Sequence, residues 1–244
     1  MKPESSNILK DAIQFLANSL GYEIRAHSST AAGRRHAIMD RLGIDLVLDV
    51  GANAGQYGSA LRRVGYKGRI WSFEPLSDAF ASLEASARGD ALWRTEHFGC
   101  GASRQAGTIN VAKNSYSSSL LPMLGMHLEN APGSEYVRTE EVELVTLDET
   151  TLPSLKDNDR VWLKIDAQGF EHEVLAGAKG LLRLVQGIEC ELSTTMLYDH
   201  QLLIDQMFGV IYAAGFRLVE FTPAFYERGN PYLLQGDGLF VRNC

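Results

Sequence analysis

The sequence predicts an α/β protein built on a doubly wound, mostly parallel sheet of seven strands. Three observations carry that expectation. Strand-like apolar runs alternate with stretches of helical periodicity from Leu46 to Ala214, the rhythm of a parallel sheet with helices on both faces. The run Leu46-Val-Leu-Asp49-Val ends in an acid and passes into Gly51-Ala-Asn53-Ala-Gly55-Gln-Tyr57, a tight turn that opens a helix. A second acid, Glu74, follows the next run, in Arg69-Ile-Trp-Ser-Phe73-Glu74-Pro75. Strand, glycine turn, helix, strand, acid is the order that holds a nucleoside at the carboxyl ends of an open sheet.

From the N-terminus, Ile8, Leu9, Ala12, Ile13, Leu16 and Leu20 make a helical apolar stripe over residues 5–20, with Ser5 or Ser6 as its cap. Such stripes are usually packing faces, which favours packing over a lid or dimer element. Ser28 to Gly33 reads as a loop and Arg34 to Leu42 as a short helix. Residues 1–45 are therefore taken as an N-terminal helical cap and residues 46–244 as the main domain. Strands are expected near 46–49, 69–73, 92–97, 161–165 and 187–191, and helices near 56–64, 77–87, 171–184 and 202–214. The last two strands, Phe216 to Phe221 and Gly238 to Val241, flank a turn-rich stretch and are expected to pair antiparallel at one edge. Residues 99–145 break the rhythm. There Gly107-Thr-Ile-Asn-Val111, a serine-rich stretch, a loop with Pro132-Gly133 and the alternating segment Val137 to Val145 read as an inserted β excursion. Its long loop suits a lid or a plain surface loop equally.

The chain has 244 residues, enough for one sizeable domain. Its 23 basic against 30 acidic residues give a net charge of −7, so broad affinity for nucleic-acid phosphates is not expected. No apolar run reaches the roughly 20 residues that span a bilayer, and Met1-Lys-Pro-Glu lacks a secretory layout. Cys100, Cys190 and Cys244 are far apart and form no CxxC. A reducing cytoplasm fits that usage best.

The glycine turn limits the ligand. Gly51 and Gly55 allow close backbone approach, and Asn53 tolerates positive φ where a third glycine would stand. No GxxxxGK[ST] lysine is present, and the spacing is not G-x-G-x-x-G. Asp49 before the turn would repel a pyrophosphate but suits a cationic amino-acid group. Glu74 suits the hydroxyls of a ribose. S-adenosylmethionine carries an ammonium, a sulfonium and a ribose diol, so it is the expected cofactor. Tyr57, Pro75, Gly101 and Ala102 are expected to border it.

A second dense segment is Val161-Trp-Leu-Lys164-Ile-Asp166-Ala-Gln-Gly169-Phe-Glu171-His172. This strand should neighbour the first, so that Asp166 faces the same crevice on the methyl side. An acid there can orient a hydroxyl, take its proton or bind a metal. Lys164, Glu171 and His172 lie within reach, with helix N-terminal charge pairing as the plainer reading of Glu171. Glu189 and Glu191 share a face of the next strand, and Glu191 is nearer the crevice.

These residues resemble the FkbM family of class I S-adenosylmethionine-dependent methyltransferases. The resemblance rests on Asp49-Val-Gly-Ala-Asn53-x-Gly55, on Phe73-Glu74-Pro75 and on Leu163-Lys164-Ile-Asp166-x-x-Gly169-x-Glu171-x-x-Val174-Leu175-x-Gly177-Ala, and it covers roughly residues 45–242. It implies a Rossmann-like methyltransferase sheet and O-methylation of a hydroxyl on a sugar, glycolipid or natural product. A lipid-linked sugar would bring peripheral contact with a membrane. Val145-Thr-Leu147-Asp148 and Ser117-Ser118-Ser119 also look like family landmarks, with Ser118 and Ser119 toward the acceptor. The family often has an acid where this chain has Gln168.

Asp166 is the first candidate for the catalytic acid or base, with Glu191 and His200 next. Tyr198 and Tyr226 are candidate platforms for a sugar ring, with ordinary packing as the plainer reading. His97 either stacks near an adenine or packs. Asp166, Glu191 and His200 would make a mixed ligand set for a divalent metal, which the spacing does not demand. Two other readings stand beside this one, a noncatalytic S-adenosylmethionine-binding module and an NAD-dependent dehydrogenase. Nucleic-acid methylation is disfavoured by the acidic charge and the lack of an Asn/Asp-Pro-Pro-Tyr element.

Overall fold

The computed structural model describes residues 13–22, 24 and 30–243, and the chain divides into two compact units between Ile38 and Met39. In the first unit a helix, α1, covers residues 13–19 among those described. Ala17 is buried on it, while Phe15, Leu16 and Leu20 are exposed. Ile8, Leu9 and Ala12 of the expected stripe, and Ser5 and Ser6, lie outside the described residues. Helix α2, Ala31–Leu42, begins three residues before its expected start. Thr30 Oγ1 accepts from the Gly33 amide at 3.1 Å, satisfying one of the donors a helix start leaves open.

In the second unit β1 (Leu46–Val50), α3 (Gln56–Arg63), β2 (Arg69–Phe73), α4 (Ser77–Ala87) and β3 (Trp93–Glu96) alternate as expected. The inserted region follows as β4 (Gly99–Cys100), β5 (Gln105–Ala112), α5 (Gly125–Asn130) and β6 (Tyr136–Val145). Then come α6 (Leu147–Thr151), β7 (Val161–Ile165), α7 (Glu171–Ala176), β8 (Val185–Ser193), α8 (Ile204–Ala213), β9 (Phe216–Tyr226) and β10 (Leu233–Arg242).

The main sheet has seven strands in the order β3-β2-β1-β7-β8-β10-β9. Strand β1 lies parallel to both β2 and β7. The chain winds outward from β1 to β3, then returns across β1 to β7, so the winding reverses between β1 and β7. A crevice opens at the carboxyl ends of the strands at such a reversal. Strands β1 and β7 are buried along their whole length, which explains their continuous rather than alternating apolar runs. Leu48, Phe73, Leu163, Ile165, Val174, Ile188 and Phe240 belong to one core around them.

The last two strands pair antiparallel, and β10 also runs antiparallel to β8. Strand β10 therefore sits one place in from the edge, inserted between β8 and β9. The inserted region forms a separate three-stranded sheet in the order β4-β6-β5. The single helix expected over 171–184 is broken. Helix α7 stops at Ala176, and Asp148 accepts from the amides of Gly180 at 2.8 Å and Leu181 at 2.7 Å. That carboxylate starts a new 3-10 turn, Leu181–Arg183. Among the described residues no helix is long and apolar enough to cross a membrane.

Candidate functional site

A cavity of about 310 Å³ lies at the carboxyl ends of β1, β2, β7 and β8. The glycine turn forms one side of it, through Val50, Gly51 and Asn53. Gly51 has φ +73°, and a Cβ there would fall 1.8 Å from the Asp166 carbonyl oxygen. The loops after β1 and β7 therefore approach too closely for any side chain at this position. Asn53 holds φ 47° as a non-glycine residue, and its own Oδ1 accepts from the Ala54 amide at 2.8 Å. Gly55, with φ 82°, caps α3.

Glu74 lines the cavity, 4% exposed. Its Oε2 accepts from the Asn53 amide and its Oε1 from the Leu76 amide, both at 2.8 Å. The carboxyl thus ties the turn after β1 to the loop after β2. Burial pushes its pKa up to about 7, against the pull of those two amides. Pro75 lines the cavity beside it. Leu76, Ile109, Val142 and Leu144, with Leu120 and Phe170 packed on them, form an apolar wall.

Asp49 is fully buried and is not among the lining residues. Pairing sets it opposite Ser72 on one side and Lys164 on the other. Ser72 Oγ donates to its Oδ2 at 3.1 Å, and its Oδ1 lies 3.4 Å from the Lys164 ammonium. Burial raises its pKa, with Lys164 and Ser72 opposing. Lys164 also donates to the Gly51 carbonyl at 3.2 Å and lies 3.5 Å from Asp166 Oδ2. Burial works against its charge, yet Asp166, Asp49 and Glu189 together hold its pKa above the usual lysine range. Tyr57 is part of this layer. Its hydroxyl donates to Glu189 Oε2 at 2.6 Å and accepts from Trp162 Nε1 at 3.0 Å.

Asp166, just past the end of β7, and Glu191, near the carboxyl end of the adjacent β8, both line the cavity. Gln168 joins them: its Nε2 donates to Asp166 Oδ1 at 2.9 Å and to Glu191 Oε2 at 2.7 Å. Gln235 Nε2 donates to the same Glu191 oxygen at 3.0 Å. Burial, followed by the charges of Asp166, Glu171 and Asp237, drives the Glu191 pKa well above the ordinary carboxyl range.

The serine-rich stretch covers the opposite side. Ser115, Tyr116, Ser118 and Ser119 line the cavity. Asn53 Nδ2 donates to Ser115 Oγ at 3.4 Å and Gln56 Nε2 to the Tyr116 hydroxyl at 3.2 Å. Ser119 Oγ donates to the Gln168 carbonyl at 2.7 Å, and Ser118 Oγ accepts from the Ala112 amide at 3.0 Å. The stretch therefore bridges the glycine turn and the loop after β7.

Other sequence-selected residues stand apart from the cavity lining. Glu171 is buried, and its Oε1 accepts from the Ala167 and Gly169 amides at 3.1 and 3.0 Å, which shapes the turn before α7. Burial raises its pKa to about 7. His172 lies beside Glu173, 3.3 Å from its carboxylate. The Tyr198 ring is fully buried, 5.1 Å edge-on from His127, and its hydroxyl donates to Gln168 Oε1 at 2.6 Å. Tyr226 is 47% exposed. The His200 side chain is 85% exposed and pairs with Asp199 at 3.4 Å. Gly101 is buried under Phe170, Ala102 is exposed, and His97 stacks on Phe80 at 4.5 Å. Among the described residues no group of three His, Cys, Asp or Glu side chains is placed to hold a metal ion. Ser115, Tyr116 and Phe170 enter the site without having been singled out from sequence, and Gln168 was noted there only as standing where the family often has an acid. They sit within the two segments that were singled out, and only the folded turn shows which side chains face inward.

The FkbM methyltransferase domain matches residues 49–218 of the chain. No curated protein matches it. Similar solved structures include magnesium protoporphyrin IX methyltransferase from Synechocystis PCC 6803 with bound S-adenosylmethionine, 13% identical over 87% of this chain and 78% of that one, TM-score 0.43. TehB from Haemophilus influenzae is 12% identical over 89% and 66%, TM-score 0.47. A TehB-like S-adenosylmethionine-dependent methyltransferase from Corynebacterium glutamicum is 10% identical over 99% and 100%, TM-score 0.42. The chain belongs to the FkbM methyltransferase family, and its cofactor is S-adenosylmethionine.

Proposed function

We propose that this methyltransferase acts on oxygen, placing the methyl on a hydroxyl of a sugar, glycolipid or natural-product acceptor. The observation that carries the reading is the carboxylate pair Asp166 and Glu191, which shares one cavity with Glu74 and the glycine turn. When bound, S-adenosylmethionine supplies a methyl group on a sulfonium. The residues present suit it. Glu74 is a buried acceptor for ribose hydroxyls, since each oxygen keeps a lone pair after taking its amide. Val142, Leu144 and Phe170 give an apolar wall for a base. Gly51 lets the backbone come close.

Asp166 orients the acceptor hydroxyl and takes its proton as the new bond forms. Lys164 and Gln168 hold that carboxylate from behind and beside. Ser118 and Ser119 border the acceptor. Alignment supplies much of the rate in such a displacement, so the rigid frame around Asp166 is as important as its basicity. The acidic chain charge supports an acceptor other than a phosphate polymer. The buried free thiols Cys100 and Cys190 support a cytoplasmic location.

Calorimetric titration with S-adenosylmethionine and S-adenosylhomocysteine tests this reading, followed by a screen of glycosidic hydroxyl acceptors. Glu74→Ala should weaken binding at least tenfold, while Asp166→Ala keeps binding and loses methyl transfer. A product methylated on nitrogen or carbon would overturn the oxygen reading, and a methylated RNA would overturn the acceptor class.

A further inference from the structure

Between β7 and α7 a long polar side chain occupies a left-handed backbone position. Gln168 has φ 49°, in the left-handed region that non-glycine residues avoid. The turn is clamped around it. Ser119 Oγ donates to its carbonyl, and Glu171 Oε1 accepts from the amides on either side, Ala167 and Gly169. The strained position is thus held by three hydrogen bonds, two of them to one Glu171 oxygen, and its outcome is the placement of one amide group.

Both Nε2 protons of Gln168 are used, one on Asp166 Oδ1 and one on Glu191 Oε2. Its Oε1 accepts from the Tyr198 hydroxyl. That orientation gives Asp166 Oδ1 a donor, whereas the flipped amide would set an oxygen against it. Two carboxylates that converge on one atom ordinarily need a cation or a shared proton between them. Here the converging point is a nitrogen carrying two N–H bonds.

We propose that Gln168 is a positioning residue whose amide nitrogen stands where a divalent cation would bridge Asp166 and Glu191, so that the pair is held together and aligned by an amide. The inference rests on reading Asp166 and Glu191 as the acceptor-side pair. It extends that reading by naming what holds them. Glu191 is faced by Asp166 and Lys164 from β7 and its end, by Glu171 from α7, by Asp237 from β10 and by Tyr198 beyond β8. One positive charge therefore meets several acids, and the neutral donor Gln168 relieves the crowding without adding to it.

The test uses the full chain and Mn²⁺ as the probe. Wild-type protein should bind Mn²⁺ no better than its surface background. Gln168→Glu puts a third carboxylate at the converging point and should bind Mn²⁺ at least tenfold tighter, a gain that added Glu191→Gln removes. Gln168→Ala removes the donor without adding charge. The carboxyl titration midpoint of Glu191, followed by carbon NMR, should then rise further, by about one pH unit, which loss of packing alone would not produce. Wild-type Mn²⁺ binding as tight as that of Gln168→Glu and dependent on Glu191 would overturn the proposal. So would an unchanged Glu191 midpoint in Gln168→Ala, the deciding variant if Gln168→Glu does not fold. Neither readout uses the methyl donor, so a failure of S-adenosylhomocysteine to bind would sink the proposed function separately.

Discussion

Glu74 has two demands on it that pull in opposite directions. Burial favours its neutral form, with a pKa of about 7 against an ordinary 4.5, whereas a ribose hydroxyl is accepted best by the ionised form. Between those two values the folded protein holds a proton that the unfolded chain has released. Stability is therefore highest below pH 4.5 for this group and is lost as pH rises through 7, by on the order of 3 kcal/mol. Glu171, also at about 7 from burial, adds a slope of the same sign. Urea unfolding midpoints of the ligand-free protein should fall between pH 5 and 7.5, and Glu74→Gln should flatten that fall. An unchanged slope would show that Glu74 is ionised throughout. Gly51 gives a steric prediction. Gly51→Ala adds a methyl against the backbone of Asp166, while Gly65→Ala, at φ +99°, meets open space. Gly65→Ala should cost about 1 kcal/mol of strain alone, and Gly51→Ala several-fold more or fail to fold, as urea titration would show. Both glycine turn and Glu74 were legible because their chemistry depends on local order in the chain. Asp49 was harder to place. Its partners Ser72 and Lys164 are opposite it only after β1 pairs with both neighbours, and no local pattern announces that register. Gln168 was legible only as a departure from the family's usual acid, because, beside the nearby Asp166, its partners come from β8 and from Tyr198.

Element positions followed from periodicity where a run was long, and failed where a single side chain redirected the backbone. Residues 171–184 carry one continuous helical pattern, yet Asp148, from a distant helix, takes the Gly180 and Leu181 amides and starts a new turn. Asp148→Ala leaves two amides without that acceptor and should destabilise by about 1–2 kcal/mol. Hydrogen exchange at Gly180 and Leu181 would localise the effect, and unchanged protection there would refute it. The stretch from Ser115 to Ser119 is an element of another kind, with no regular structure, fixed by side-chain bonds to the glycine turn and to the loop after β7. Tyr116 is 63% exposed and still lines the cavity. Tyr116→Ala removes one of the bonds that span the cavity mouth. Release of S-adenosylhomocysteine should quicken several-fold with little change in its association rate, which stopped-flow fluorescence would resolve. An equal change in both rates would argue that the stretch does not close over the ligand. Composition alone could not decide between lid and surface loop, because its serines show their role only through partners far along the chain.

At the scale of the whole molecule, the strand order β3-β2-β1-β7-β8-β10-β9 brings together loops that are more than a hundred residues apart. Val50, Gly51, Asn53, Glu74, Asp166 and Glu191 meet at one cavity because each lies at or near the carboxyl end of one of the parallel strands β1, β2, β7 and β8. A ligand in that cavity touches the ends of four central strands, so it cannot stay bound while the sheet opens. Binding should consequently stabilise the second unit as a whole rather than one loop. At a ligand concentration of about 100 times the dissociation constant the gain is about 2.7 kcal/mol, which for a chain of this size raises Tm by roughly 5–10 °C. S-adenosylhomocysteine should produce that rise in a thermal melt and Glu74→Ala should lose most of it. NAD should produce none, since Asp49 and the spacing of Gly51, Asn53 and Gly55 disfavour a pyrophosphate beside the turn. A rise with NAD and none with S-adenosylhomocysteine would mean that the turn serves phosphates after all. Equal rises in wild type and Glu74→Ala would mean that the ligand stabilises the sheet without using the acid after β2. The wild-type and Glu74→Ala melts therefore separate a ligand held at the switch point of the sheet from one held elsewhere on the chain.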